Sequence, residues 1–420
     1  MAPTQTSAAE ARAHEHIHRF VDEHREPAVA MLSELISVPS DNPPGNCQPH
    51  ADRAADLYQR LGFTVERHPI PEELVRSVGM ISASNLVIRH RFGPGPTIAL
   101  NAHGDVVAPG EGWTFDPYGA QTKDGWIYGR AATASKSDFV TYAYALLALK
   151  SLPQNLGGAV EIHLTYDEET GGEIGPKRLL REGITAPDYA ICAGFTYFVV
   201  TAHNGCLHLE VKVNGKSSHA ARPELGHDAL EAANHVLTVL FRERVKLSSI
   251  RSTIEGIVHP TLVVGLINGG INTNVLPDRV TMRLDRRILP QENGRRVTDE
   301  LIRLVNEAVK PLPGITCDTR TVMLAEPLVP LPRQDRLVAA IKNHADRLIG
   351  EPIPALGAPI YTDARHYGAA GVPTVLYGAG PKLASDANVH GPDERLKLSD
   401  LHLATKIVSS ACYDLLAKRP

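Results

Sequence analysis

The stretch TIALNAHGD, Thr97 to Asp105, decides the fold. Seven mostly apolar residues end in an imidazole, and the Gly/Pro-rich segment GDVVAPGEGW follows at once. A short apolar run bounded by turn residues reads as a buried strand. Moving outward, AVEIHLTY (159–166) is a second such strand, ending at DEETGGEIG, and DYAICAGF (188–195) is a third. Helical periodicity separates them: KSDFVTYAYALLALK occupies 136–150, and PKRLLREG begins or continues a helix after 175. Upstream, PAVAMLSELIS (27–37) is an amphipathic helix stopped by Pro39 and the SDNPPGN loop, and another helix runs from Gln48 to Leu61. Downstream come a helix at 333–349, the strand PTVLYGAG and a helix at 399–417. Strands alternating with helices predict an α/β domain around a mostly parallel sheet.

The pattern changes near residue 203. LHLEVKVNG alternates strictly, as a half-exposed strand does, and HDALEAANHVLTVLFRERV is an amphipathic helix. TLVVGLINGG and RVTMRLDRRIL add strands, and RRVTDELIRLVNEAV adds a second helix. Two helices over an antiparallel sheet make a self-contained α+β unit. The expected organisation is therefore a discontinuous catalytic domain, 1–204 and 318–420, with an α+β lid or dimerisation domain inserted at 205–317.

The 420 residues exceed what one ordinary core holds, in keeping with two domains. With 43 Lys and Arg against 47 Asp and Glu, the net charge of −4 argues against a nucleic-acid surface. Five dispersed cysteines without a CxxC pair read as reduced thiols of a cytoplasmic protein. No signal peptide or membrane span is visible, so no membrane partner is expected. His14, His16 and His18 read as solvated residues of a mobile terminus.

Four segments carry candidate chemistry. His103 and Asp105 stand at a strand end, where a metal-bound imidazole can donate its other N–H to a carboxylate. Asp167, Glu168 and Glu169 follow another strand, and neighbouring carboxylates point apart, so one can hold metal while the next moves a proton. His219, in GKSSHA, lies in the inserted domain, where an imidazole can stabilise an oxyanion. His390, in VHGPDE, supplies a second imidazole from far along the chain.

In this order the segments resemble the metallopeptidase family of acetylornithine deacetylase, succinyl-diaminopimelate desuccinylase, aminoacylases and glutamate carboxypeptidases. The likeness runs from ELISVPSDNPPG (34–45) through DGWIYGR (124–130), GGINTNVLPD (269–278), LDRRILP (284–290) and TDARHYGAAGVPTVLYG (362–378). It implies a zinc-peptidase-like catalytic domain that hydrolyses a C–N bond. His103, Glu169 and His390 become metal ligands, Asp105 their support, Glu168 the general base and His219 the group that polarises the scissile carbonyl. Asn274 and Arg287 match positions that hold a substrate carboxylate. Arg365 is read as either a further substrate contact or a partner of Asp363.

Two positions depart from the family's pattern. The bridging aspartate of a two-metal site belongs where GRAATASKS has Ala134, and a later carboxylate ligand belongs at Gly194. Three protein ligands remain, so the expected cofactor is one labile divalent ion, Zn²⁺ or Mn²⁺. Asp138 is a further candidate ligand, with a first-turn helix charge as its plainer role. The expected substrate is a small anionic N-acyl amino acid or dipeptide, and the resemblance adds a homodimer or higher oligomer through the inserted domain. Two alternatives stand beside it: hydrolytic deamination of an aromatic amine such as 5-nitroanthranilate, and a metal-poor pseudoenzyme that binds carboxylates through Arg287, Asn274 and Arg365.

Overall fold

The computed structural model describes residues 8–153 and 156–417. Its contacts divide the chain into two units: residues up to Thr201, Pro330–Leu356 and Thr362 onward form one, while Ala202–Val329 and Gly357–Tyr361 form the other.

The first unit is built on a mixed sheet, and four neighbouring strands in its middle run parallel: Ala159–Thr165, Thr97–His103, Tyr189–Cys192 and Thr374–Leu376. Ala159–Thr165 and Tyr189–Cys192 are buried along their whole length, as strands covered on both faces must be. The expected parallel sheet thus holds in the centre. On its flank, Ser84–Arg91 and Val65–Pro69 add two antiparallel strands that the sequence reading left out. Helix Lys136–Lys150 is buried almost all round, against Leu398–Leu416 and Arg25–Ile36, which explains its apolar composition on every face.

The amino-terminal histidines differ from expectation. Ala8–Glu23 is a helix packed on Leu398–Leu416, and His14 is buried in that contact. The stretch reads as polar because its imidazoles meet polar partners inside the protein: His14 faces Asp414, and His18 faces Ser410.

The second unit is a four-stranded antiparallel sheet in the order Thr261–Gly269, Arg279–Ile288, Gly205–Asn214, Thr316–Ala325. Alternating burial along Gly205–Asn214 and Arg279–Ile288 gives one apolar face, which packs against helices Ala229–Leu247 and Gly294–Val309. Both helices are N-capped, by Asp228 onto the amides of Leu230 and Glu231, and by Asn293 onto that of Arg296. The expected boundary at 318 falls inside the strand Thr316–Ala325, which pairs with Gly205–Asn214 and carries the unit on to Val329. That strand's Thr, Asp and Arg residues leave it largely exposed, so its apolar signal is weak.

Candidate metal centre

The chemistry gathers where the parallel strands end, the usual place for a site on such a sheet. His103 is the last residue of Thr97–His103, and Asp167, Glu168 and Glu169 follow Ala159–Thr165. One ligand atom each from His103, Glu168 and Glu169 lies within 4.8 Å of the others. Glu168 Oε2 is 4.0 Å from His103 Nε2. His390, at the other end of the chain, brings Nε2 to 3.6 Å from Glu169 Oε1. His103 is nearly enclosed, whereas the His390 side chain is 52% exposed.

Asp105 organises this centre differently from expectation. His103 Nδ1 is 2.9 Å from the backbone oxygen of Asp105, nearer than the 3.4 Å to its carboxylate. With its proton on Nδ1, the tautomer this contact implies, the ring directs the Nε2 lone pair into the centre. The Asp105 carboxylate, fully buried, accepts instead from the amides of Glu168 (3.2 Å) and Glu169 (3.1 Å) and from Asn42 Nδ2 (2.9 Å). It therefore sets the turn that aims the two glutamates.

The same turn is held from its far side. Gly171 and Gly172 take φ of 111° and 68°, where side chains are strained, and a Cβ at Gly172 would stand 2.2 Å from Asp363 Oδ1. His366 Nε2 approaches the Gly171 oxygen at 3.0 Å, and the Arg365 guanidinium donates to that oxygen too. Arg365, read from sequence as either a substrate contact or a partner of Asp363, is buried and helps hold this turn. Asp363, read from sequence only as a candidate partner of Arg365, lies close to this centre. It is buried, accepts from Thr165 Oγ1 at 3.1 Å, and belongs to the anionic surroundings of His103. Its one sequence signal was its position in TDAR.

Crowded buried carboxylates shape the electrostatics. Burial pushes Glu168 well above the usual carboxylate range, with His103 opposing and Glu169 adding to the rise. Burial also moves Glu169 up to about 7 against the pull of His103. For His103, burial disfavours the charged ring, but Glu168, Asp105 and Glu169 outweigh it and hold the imidazole well above its ordinary value. The pocket favours a positive charge at its centre, and its donors are two imidazoles and carboxylate oxygens. That set fits a divalent transition ion.

The departing positions have structural explanations. Ala134 carries no donor side chain, and its amide points to Glu394 at 3.4 Å. Next to it, Ser135 Oγ donates to the His103 oxygen (2.9 Å) and accepts from the His103 amide (3.0 Å), so the segment still anchors the strand end. Gly194 lies against backbone. A Cβ there would meet the Tyr377 nitrogen at 2.7 Å and the Leu376 carbonyl carbon at 2.9 Å, so no carboxylate side chain fits. Gly194→Ala is expected to destabilise the protein by about 1–3 kcal/mol through overpacking, read as a lower urea midpoint at unchanged m-value.

Asp138, the candidate further ligand, is committed elsewhere. Its carboxylate accepts from the amides of Gly194 (3.2 Å) and Ala379 (2.8 Å), tying together two strand-end loops. Burial raises it to about 8 although those amides favour the anion. A second tie that the sequence did not disclose is the buried pair of Arg130 and Glu394, 2.6 Å apart, which braces the loop bearing His390.

The remaining predicted residues lie in the second unit. His219 is exposed and pairs with Val275 in an isolated bridge, and the Ala220 amide donates to the Asn274 oxygen at 3.0 Å, so His219 and Asn274 are neighbours. Arg287 is half-buried, with Nε 3.0 Å from Asp285 Oδ1 and its guanidinium over the Tyr361 ring.

Sheet and strand-end centre together define a metallohydrolase of the α/β class. The profile of Peptidase family M20/M25/M40 matches residues 99–414, and the chain belongs to that family. Its relatives are metallohydrolases that act on carbon–nitrogen bonds. An acetylornithine deacetylase from Myxococcus xanthus is 30% identical over 298 residues, 70% of this chain and 75% of that protein. A succinyl-diaminopimelate desuccinylase from Nautilia profundicola is 28% identical over 324 residues, covering 74% and 82%. Among solved structures, a dinuclear metal-binding peptidase of the family from Bacillus subtilis superposes with a TM-score of 0.66 at 14% identity, covering 94% of this chain and 99% of that one. Among the described residues, no helix is long and apolar enough to cross a membrane.

Proposed function

We propose that the protein hydrolyses the amide bond of a small carboxylate-bearing substrate, an N-acyl amino acid or a dipeptide, with Glu168 as general base. The observation that carries this reading is the convergence of His103, Glu168 and Glu169 at two parallel strand ends, with His390 against Glu169. His103, Glu169 and His390 would hold one divalent ion, Zn²⁺ or Mn²⁺. An alanine at 134 and the closed space at Gly194 support a single, loosely held ion. When bound, the ion supplies positive charge that acidifies water and polarises a carbonyl. Glu168 takes the water's proton and delivers it to the leaving nitrogen, a transfer its enclosed position keeps from bulk solvent. His219 steadies the charge that develops on oxygen, while Asn274 and Arg287 receive the substrate carboxylate. The names of the relatives, a deacetylase and a desuccinylase, support acyl-amide substrates. Five free thiols support a cytoplasmic setting.

The test is a panel of N-acyl amino acids, dipeptides and aminobenzoates, assayed with Zn²⁺, Mn²⁺ or Co²⁺ added back. Turnover of acyl amides or dipeptides is expected. Turnover of aminobenzoates alone would point to aromatic deamination, and binding without turnover would mark a pseudoenzyme.

The second unit supports self-association. Strand Thr261–Gly269 lies at a sheet edge and leaves Val263, Leu266 and Ile267 exposed, followed by Ile271 at 83% exposure. An apolar open edge is a liability unless something pairs with it, and a second copy of the same edge can do so. Ile267→Arg is expected to convert a dimer into a monomer by light scattering. An unchanged mass would reject this interface.

A further inference from the structure

We propose that His14, His344 and Asp414 form a second metal site, remote in sequence from the centre described above and sharing no residue with it. It would take a transition ion such as Zn²⁺ and clamp three helices of the first unit. The residues come from Ala8–Glu23, Gln334–Ile349 and Leu398–Leu416. His14 Nε2 is 3.0 Å from Asp414 Oδ1, and His344 Nε2 is 2.8 Å from Oδ2. One ligand atom of each residue lies within 4.8 Å of the others. The imidazoles are buried, at 6% and 3% exposure, with ring centroids 4.4 Å apart.

Two imidazoles and a carboxylate are a donor set for Zn²⁺, Co²⁺ or Ni²⁺ and a poor one for Mg²⁺ or Ca²⁺. A tetrahedral ion with bonds of about 2.0–2.1 Å separates its ligand atoms by roughly 3.3 Å. The two imidazole–carboxylate separations need to open by only a few tenths of an ångström to reach that spacing. The carboxylate presents a different oxygen to each ring, so it can turn either or both toward the ion. Asp414 keeps 29% side-chain exposure, which leaves a path for entry and room for a water as the remaining ligand. Because the three positions are so far apart in sequence, one ion would close a very long loop, the arrangement in which a cross-link restricts the unfolded chain most. The competing arrangement is a closed hydrogen-bond triad with no affinity for metal.

The test uses the full chain carrying His103→Asn and Glu169→Gln, which removes the proposed ligands of the other centre. After chelator treatment and dialysis it is titrated with Zn²⁺, then with Co²⁺ for its visible absorption. One equivalent of Zn²⁺ and a zinc-dependent rise in Tm are expected. Adding either His14→Gln or Asp414→Asn is expected to weaken binding at least about tenfold and to abolish the Tm rise. Absence of zinc binding in the parent double variant would overturn the proposal without any further substitution. Binding that survives both His14→Gln and Asp414→Asn would overturn it equally. Wild-type protein that binds one ion, sensitive to His14→Gln but not to His103→Asn, would reject the catalytic ligand set and leave this site standing.

Discussion

Glu168→Gln is expected to lower kcat by about 10²–10⁴-fold while leaving the fold and the bound metal in place. The substitution keeps the shape of the side chain and removes its ability to take a proton. Glu168 sits on the turn set by Asp105, whose carboxylate accepts the amides of both Glu168 and Glu169, so glutamine inherits the same backbone position. The neighbouring change, Glu169→Gln, is expected to act on metal affinity first, because Glu169 is the carboxylate facing His390. Measuring kcat and metal content for both variants separates the roles. If Glu168→Gln lost its metal and Glu169→Gln kept it, the two assignments would have to be exchanged. If neither variant lost activity, the centre would not be the site of reaction.

Dialysis against a chelator is expected to abolish activity, and Mn²⁺, Co²⁺ or Zn²⁺ to restore it. Removing several kcal/mol of charge stabilisation corresponds to at least about a thousandfold in rate. Metal loss should be easy. The centre offers two imidazoles and Glu169, without a carboxylate at Ala134 and with backbone filling the space beside Gly194. His390 is also half-exposed, so one ligand can swing away without disturbing the core. Restored activity should saturate with one ion bound at this centre, read by titrating activity and metal content together. Full activity in protein shown to be metal-free would sink the mechanism.

Much of this was legible from local signals. Thr97–His103 and Ala159–Thr165 declare themselves because strands inside a parallel sheet are covered on both faces and so are rich in apolar residues. His103, Glu168 and Glu169 follow those strands directly, and their roles were readable only from the resemblance of the ordered motifs to a metallopeptidase family. The antiparallel strand Thr316–Ala325 escaped notice because most of it is exposed, and exposed strands leave little hydrophobic pattern.

Side-chain commitments were a different matter. Asp138 looks like a ligand candidate in sequence, but its oxygens meet the amides of Gly194, 56 residues away, and Ala379, 241 residues away. Arg365 reads in sequence as either a substrate contact or a partner of Asp363, and its guanidinium lies on the Gly171 carbonyl, 194 residues distant. His14 resembled a solvated terminal residue, yet it is buried against Asp414.

The amino-acid sequence by itself determined the α/β class, an inserted α+β unit, and the placing of an imidazole and two glutamates at strand ends. Those features depend on local periodicity and on residue types next to one another in the chain. Only the tertiary structure decided which buried polar atoms face each other. It gave the Asp105 carboxylate to the glutamate amides, closed the space at Gly194, took Asp138 and Arg365 into loop ties, and brought His14, His344 and Asp414 together. The physical reason is that a buried polar group must find a partner, and packing rather than neighbourhood in sequence supplies it.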